Sequence, residues 1–195
     1  MTNSYMITCC STADMPAQYF EEKKIPFVCF NFLMDGVQYP DDLGKSMPFK
    51  EFYKKIADGA EPTTAQVNTQ QYMELFEPIL QKGLDILHLT LSSGISGSIN
   101  SANIAKVQME EKYPGRKVRI IDSLSASSGY GMLVDMALTK QQEGLSLEEN
   151  ASWLEENRNK LHHWFFSTDL TSFIRGGRIS KVSGFVGQAL NICPL

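Results

Sequence analysis

This 195-residue chain lacks several common functional ingredients, and each absence removes a class of chemistry. No lysine lies between His88 and Lys106, yet that span holds the richest serine and glycine cluster of the sequence. A phosphate-binding P-loop needs a lysine directly after its second glycine, so the cluster is not one. A dinucleotide fingerprint needs three spaced glycines, and only Gly94 and Gly97 stand there. The four cysteines, Cys9, Cys10, Cys29 and Cys193, have no zinc-like spacing. They read as inert, reduced thiols of a cytoplasmic protein. No run is long and apolar enough to span a bilayer, and the first residues carry no basic segment of a signal peptide. The formal net charge is only -4, which argues against a dedicated nucleic-acid or anionic-membrane surface. A small anionic ligand stays possible, because a site is local.

What remains is an ordinary globular composition with 43% apolar residues. Residues 5–9 read as a short buried strand. Pro16 then suits a first helical position, with Asp14 as its cap. Residues 25–34 read as one strongly β-like run, and Asp35-Gly36 marks a tight hairpin. Residues 48–57 predict a helix with Phe49, Phe52, Tyr53 and Ile56 on one face. The Pro62-Thr63-Thr64 stretch reads as a turn. Further helices are expected over residues 69–81, 99–113, 126–142 and 146–160, the last opened by a Ser146/Glu149 capping box. Strands are expected over residues 84–91, 118–121 and 164–167. This alternation predicts an α/β domain over residues 1–160, with a parallel sheet and crossover helices. Residues 161–195 read as the beginning of a second, truncated α/β domain.

Three polar segments fall at the carboxyl ends of strands and precede helices: Ser11-Thr12, residues 92–98 and residues 123–128. Ligands of open parallel sheets bind at such ends. A helix start offers unpaired N–H groups and partial positive charge. An uncharged cradle of hydroxyls and amides suits a singly charged carboxylate better than a phosphate. A rival reading takes Gly94-Ile95-Ser96-Gly97-Ser98 as an imperfect nucleophile elbow, with Ser96, Asp122 and His162 or His163 in the chain order of an acyl-ester hydrolase. Arg175-Gly176-Gly177-Arg178 reads either as a glycine-stopped helix with two solvated arginines, or as a guanidinium pair that grips anionic groups of a partner.

Five motifs occur in register: Cys-Ser-Thr-Ala-Asp-Met-Pro (10–16), Pro-Thr-Thr-Ala-Gln (62–66), Leu-Ser-Ser-Gly-Ile-Ser-Gly-Ser (91–98), Ile-Asp-Ser-Leu-Ser-Ala-Ser (121–127) and Phe-Ile-Arg-Gly-Gly-Arg-Ile (173–179). Together they resemble the DegV family of bacterial fatty-acid-binding proteins. The resemblance implies a two-domain α/β protein that binds a long-chain fatty acid and presents it to the catalytic subunit of a fatty acid kinase. It implies no catalysis by this chain and no cofactor or metal. The ligand carboxylate would be held by Thr64 and Ser96, with Gly97 beside them, and Arg175 and Arg178 would dock the partner. Two positions depart from the family pattern: Cys10 stands where aspartate is usual, and Ala65 where serine is common.

Overall fold

The computed structural model describes residues 5–164, 166–167, 170–180 and 183. In chain order the strands are β1 (Tyr5–Cys10), β2 (Phe27–Val28), β3 (Asn31–Met34), β4 (Val37–Pro40), β5 (Thr63–Ala65), β6 (Asp85–Thr90) and β7 (Val118–Asp122). The helices are α1 (Ala17–Lys23), α2 (Phe49–Ala57), α3 (Thr69–Gln81), α4 (Ser98–Lys112), α5 (Ser127–Gln142), α6 (Leu147–Asn157) and α7 (Thr171–Arg175). The chain divides into two compact units, Met1–Leu161 and His162–Leu195.

The first unit is built on a four-stranded parallel sheet in the order β2-β1-β6-β7. Neighbouring residues Ile86 and Leu87 are both fully buried, so side chains on both faces of β6 are covered. That is why these strands read as continuous apolar runs rather than alternating ones. Helices α3 and α4 pack on each other and on the sheet, as do α5 and α6. The capping boxes at Asn68/Gln71 and Ser146/Glu149 start α3 and α6 where the sequence places them.

Strand order identifies where a ligand can enter. From β1 the chain crosses by α1 to β2 on one side, and from β6 it crosses by α4 to β7 on the other. The two connections diverge between adjacent β1 and β6, which makes their carboxyl ends the switch point of the sheet.

Several expectations are corrected. The β-like run over residues 25–34 is not one strand. It gives β2 to the parallel sheet, leaves it at Cys29-Phe30, and enters a second, antiparallel sheet ordered β4-β3-β5. Periodicity shows that a segment is extended but not which sheet it joins. The hairpin itself forms as expected, with Asp35 and Gly36 at φ 54° and 78°. Both central residues have the positive φ that the turn demands. Residues 63–65 form edge strand β5 rather than a turn, with Thr64 opposite Phe32.

The apolar stripe of α2 does not enter a core. Phe52 meets Phe32 edge-on at 5.1 Å, but Phe49 and Tyr53 remain 57% and 66% exposed. One helix on a three-stranded sheet lacks the surface to cover them. Pro16 lies at the cap of α1 and not inside it, and Asp14 turns its carboxyl to Ser127 instead of capping. Trp164, Phe166 and Ser167 lie outside regular structure, so the strand expected there is absent at the described positions.

In the second unit α7 ends at Arg175, and Gly177 at φ 73° turns the chain as the Gly-Gly pair suggests. The apolar residues Val182, Phe185, Val186, Leu190 and Ile192, and Cys193, lie outside the described residues.

Candidate functional site at the carboxyl ends of β1 and β6

The loop joining β6 to α4 uses most of its amides internally. Ser92 N donates to Ser125 O at 3.1 Å and Ser93 N to Asp122 Oδ1 at 3.1 Å. Gly94 N donates to Ser92 Oγ at 3.2 Å, while Ile95 N and Ser96 N donate to Ser92 O at 3.2 and 3.1 Å. Ser98 N donates to Ser96 Oγ at 3.2 Å, and Asn100 N to Gly97 O at 3.0 Å. Within residues 92–100 the amides of Gly97 and Ile99 have no acceptor among the described residues. Gly97 is the cap residue of α4 and, having no side chain, supplies no cap of its own. The start of a 15-residue helix is therefore open, with two free donors and the positive end of its dipole. Ser96 Oγ already accepts one bond, so its proton is free to donate to a ligand oxygen.

Expected site residues converge only in part. Gln66, two residues beyond Thr64, sets its Oε1 2.9 Å from where a Cβ at Gly97 would stand. The Thr-Thr-Ala-Gln segment therefore abuts the helix start that follows Ser96, and glycine permits the approach. Gln66 is the residue that joins the two motifs, and its role was not legible from composition or spacing. Thr64 lies exposed on β5. In the other serine segment Ser123 Oγ donates to Ser125 O at 3.0 Å, and Ser127 opens α5 near the Asp14 carboxyl. Burial raises the pKa of that carboxyl, and the proximity of Ser127 offsets part of the rise.

Beneath the loop lies a buried polar cluster that the sequence did not reveal. Thr8 Oγ1 and His88 Nδ1 are 2.8 Å apart. Cys10 Sγ lies 3.5 Å from the Tyr72 hydroxyl and 3.8 Å from His88 Nε2. Cys10 N donates to the Tyr130 hydroxyl at 2.9 Å, which in turn donates to Leu89 O at 2.5 Å. Burial pushes the Cys10 thiol up to about 11 and the His88 imidazole down to about 3. The floor of the site is thus uncharged at neutral pH, and the thiol at Cys10 brings no negative charge beneath an anion-favouring helix start. Ser98 Oγ is also fully buried and makes no well-formed hydrogen bond. It still sits close enough to the Tyr72 hydroxyl to oppose that group's burial-driven rise in pKa.

The hydrolase arrangement finds no support in these bonds. Ser96 Oγ accepts from Ser98 N, the Asp122 Oδ1 accepts the amides of Ser93 and Leu124, and His162 and His163 belong to the second unit. Among the described residues no group of three His, Cys, Asp or Glu side chains could hold a metal ion. No described helix is long and apolar enough to cross a membrane. Cys9, Cys10 and Cys29 are free thiols.

An α/β fold with an open helix start at the switch point of its parallel sheet is of the class whose geometry can seat a small anion there. The chain belongs to the DegV family: residues 5–195 match the family described as "Uncharacterised protein, DegV family". A DegV domain-containing protein of Clostridium perfringens is 37% identical over 185 residues, which cover 95% of this chain and 64% of that protein. The solved structure of a stearic acid-binding protein from Eubacterium ventriosum superposes with a TM-score of 0.84 at 27% identity, over 98% of this chain and 66% of that one. A fatty-acid-binding DegV family protein from Thermus thermophilus does so with a TM-score of 0.79 at 30% identity, again over 98% and 66%. The chain therefore spans 64–66% of the length of these relatives.

Proposed function

We propose that this chain is the carboxylate-gripping part of a cytoplasmic long-chain fatty-acid-binding protein, and that it presents the bound acid to a fatty acid kinase. Thr64 and Ser96 hold the carboxylate, with the Gly97 amide beside them. The observation that carries this reading is the open start of α4: a free Ser96 proton and two free amides next to the segment that bears Thr64. The fatty-acid binding of the solved proteins from Eubacterium ventriosum and Thermus thermophilus supports the same ligand class.

The energetics divide the work between head and tail. Burying about fourteen methylenes is worth on the order of 11 kcal/mol before the costs of association. A helix-start contact to an anion adds roughly 0.3–1 kcal/mol. The tail supplies affinity, and the head group supplies orientation and selectivity.

Mass spectrometry of the small molecules that copurify is the direct test, and a long-chain acid is the expected result. The Thr64→Ala/Ser96→Ala variant should bind it about a hundredfold more weakly or worse, and retain correspondingly little, since each of the two lost bonds to a charged group is worth roughly 1.5–3 kcal/mol. Equal retention by the double variant would remove the head-group assignment. Kinase docking is assigned to Arg175 and Arg178. Reversing both to glutamate is expected to weaken binding of the kinase catalytic subunit about tenfold or more, because charge repulsion replaces attraction. Lipid retention should not change, and undiminished kinase activation would eliminate the docking role.

A further inference from the structure

We infer that Asp122 is a positioning residue, which clamps the loop ahead of α4 and so decides which of its amides a ligand can reach. The ligand arm of the test below rests on the fatty-acid reading; the clamp itself does not.

Asp122 ends β7, paired with Thr90 at the end of β6. Its Oδ1 accepts two main-chain N–H groups, from Ser93 and from Leu124, each at 3.1 Å. One oxygen thus ties together the loops that follow two neighbouring strands. The same loop supplies Ser125 O, which takes the Ser92 amide at 3.1 Å. Both amides that open the Ser/Gly loop are therefore consumed from the β7 side. The donors left over are those of Gly97 and Ile99, at the helix start and beside Ser96.

Two further features show that the clamp is built in. Leu124 sits at φ 51°, a conformation disfavoured for a residue with a Cβ, and its amide bond to the Asp122 side chain offsets that strain. Arg158 reaches in from beyond α6 and donates from Nη1 to the main-chain oxygen of Asp122 at 2.7 Å. This arginine steadies the strand end from which the carboxylate projects.

The test compares Asp122→Ala with Asp122→Asn in the 195-residue chain. Asparagine keeps the side-chain oxygen and loses the charge, whereas alanine loses both. Amide hydrogen exchange should accelerate about tenfold at Ser93 and Leu124 in Asp122→Ala, and stay within about twofold of the parent in Asp122→Asn. Titration with cis-parinaric acid and with its methyl ester reads the consequence for the site. Asp122→Ala should weaken the acid about tenfold and leave the ester unchanged, while Asp122→Asn preserves the acid-to-ester ratio. Unchanged exchange in Asp122→Ala, equal damage by asparagine, or a constant acid-to-ester ratio across the variants would each overturn the clamp. A parent chain that binds neither probe would instead sink the fatty-acid reading, and the exchange comparison would still decide the clamp. If Asp122→Ala alone does not fold, the comparison moves to a Leu124→Gly background, where glycine adopts φ 51° without strain. A double variant that also fails to fold would overturn the proposal, because Asp122 would then have a wider structural role.

Discussion

Between pH 6.5 and pH 3 the first unit is expected to lose up to about 5 kcal/mol of stability to a single buried histidine. Desolvation holds the His88 imidazole at about 3, below its ordinary 6.5, so the folded state binds fewer protons than the unfolded state within that window. Stability therefore rises with pH there, is complete above 6.5, and is lost as pH falls toward 3. The neighbours of the ring are Thr8, Cys10, Tyr72 and Phe76, and none supplies a negative charge to hold a proton on it. Asp14 and Asp41 act in the opposite sense: burial raises their pKa values, so protonating them on acidification favours the folded state. Urea denaturation at half-unit steps from pH 7 to pH 4 measures the slope. His88→Gln should flatten it while lowering stability at pH 7, since the packed ring against Tyr72 and Phe76 is lost. An equally steep acid limb in that variant would mean that His88 is not its cause.

Gly131→Ala is expected to cost about 3 kcal/mol, at the upper end for overpacking a core. A Cβ at this position in α5 would stand 2.6 Å from Ala13 O and 2.7 Å from Met15 Sδ. The methionine tip can move. The Ala13 carbonyl belongs to the turn that leaves β1, so relief would require the helix to lift from the sheet. For a chain of this size the drop in melting temperature should be about 6–12 °C. Exposed Met132 on the same helix provides the contrast, and its replacement by alanine should change stability by less than about 0.5 kcal/mol. A melting temperature of Gly131→Ala within two degrees of the parent would contradict the close approach.

Local signals carried the elements that depend on local physics. The capping boxes at Asn68 and Ser146, the Asp35-Gly36 turn and the buried strands β1, β6 and β7 form close to where residue type and spacing place them. Each rests on interactions between residues a few positions apart. The same signals failed where the outcome depends on a distant partner. Nothing in Thr63-Thr64-Ala65 announces a strand, because its stability comes from pairing with Asn31, Phe32 and Leu33, about thirty residues earlier. The stripe on α2 has the spacing of a core helix, yet the sheet it meets is too small to bury it.

The candidate site divides along the same line. Sequence alone determined that a lysine-free, serine- and glycine-rich crossing follows a buried strand and opens a helix, which already favours an uncharged cradle for a small anion. It also determined the family likeness, through five motifs in order. Only the tertiary structure decided that Gln66 lies against Gly97, that Asp122 and Ser125 consume the first amides of the loop, and that Cys10, Tyr72 and His88 meet beneath it. Those groups come from chain positions far apart, and which of them meet is set by strand order and helix packing, quantities to which no short stretch of sequence has access.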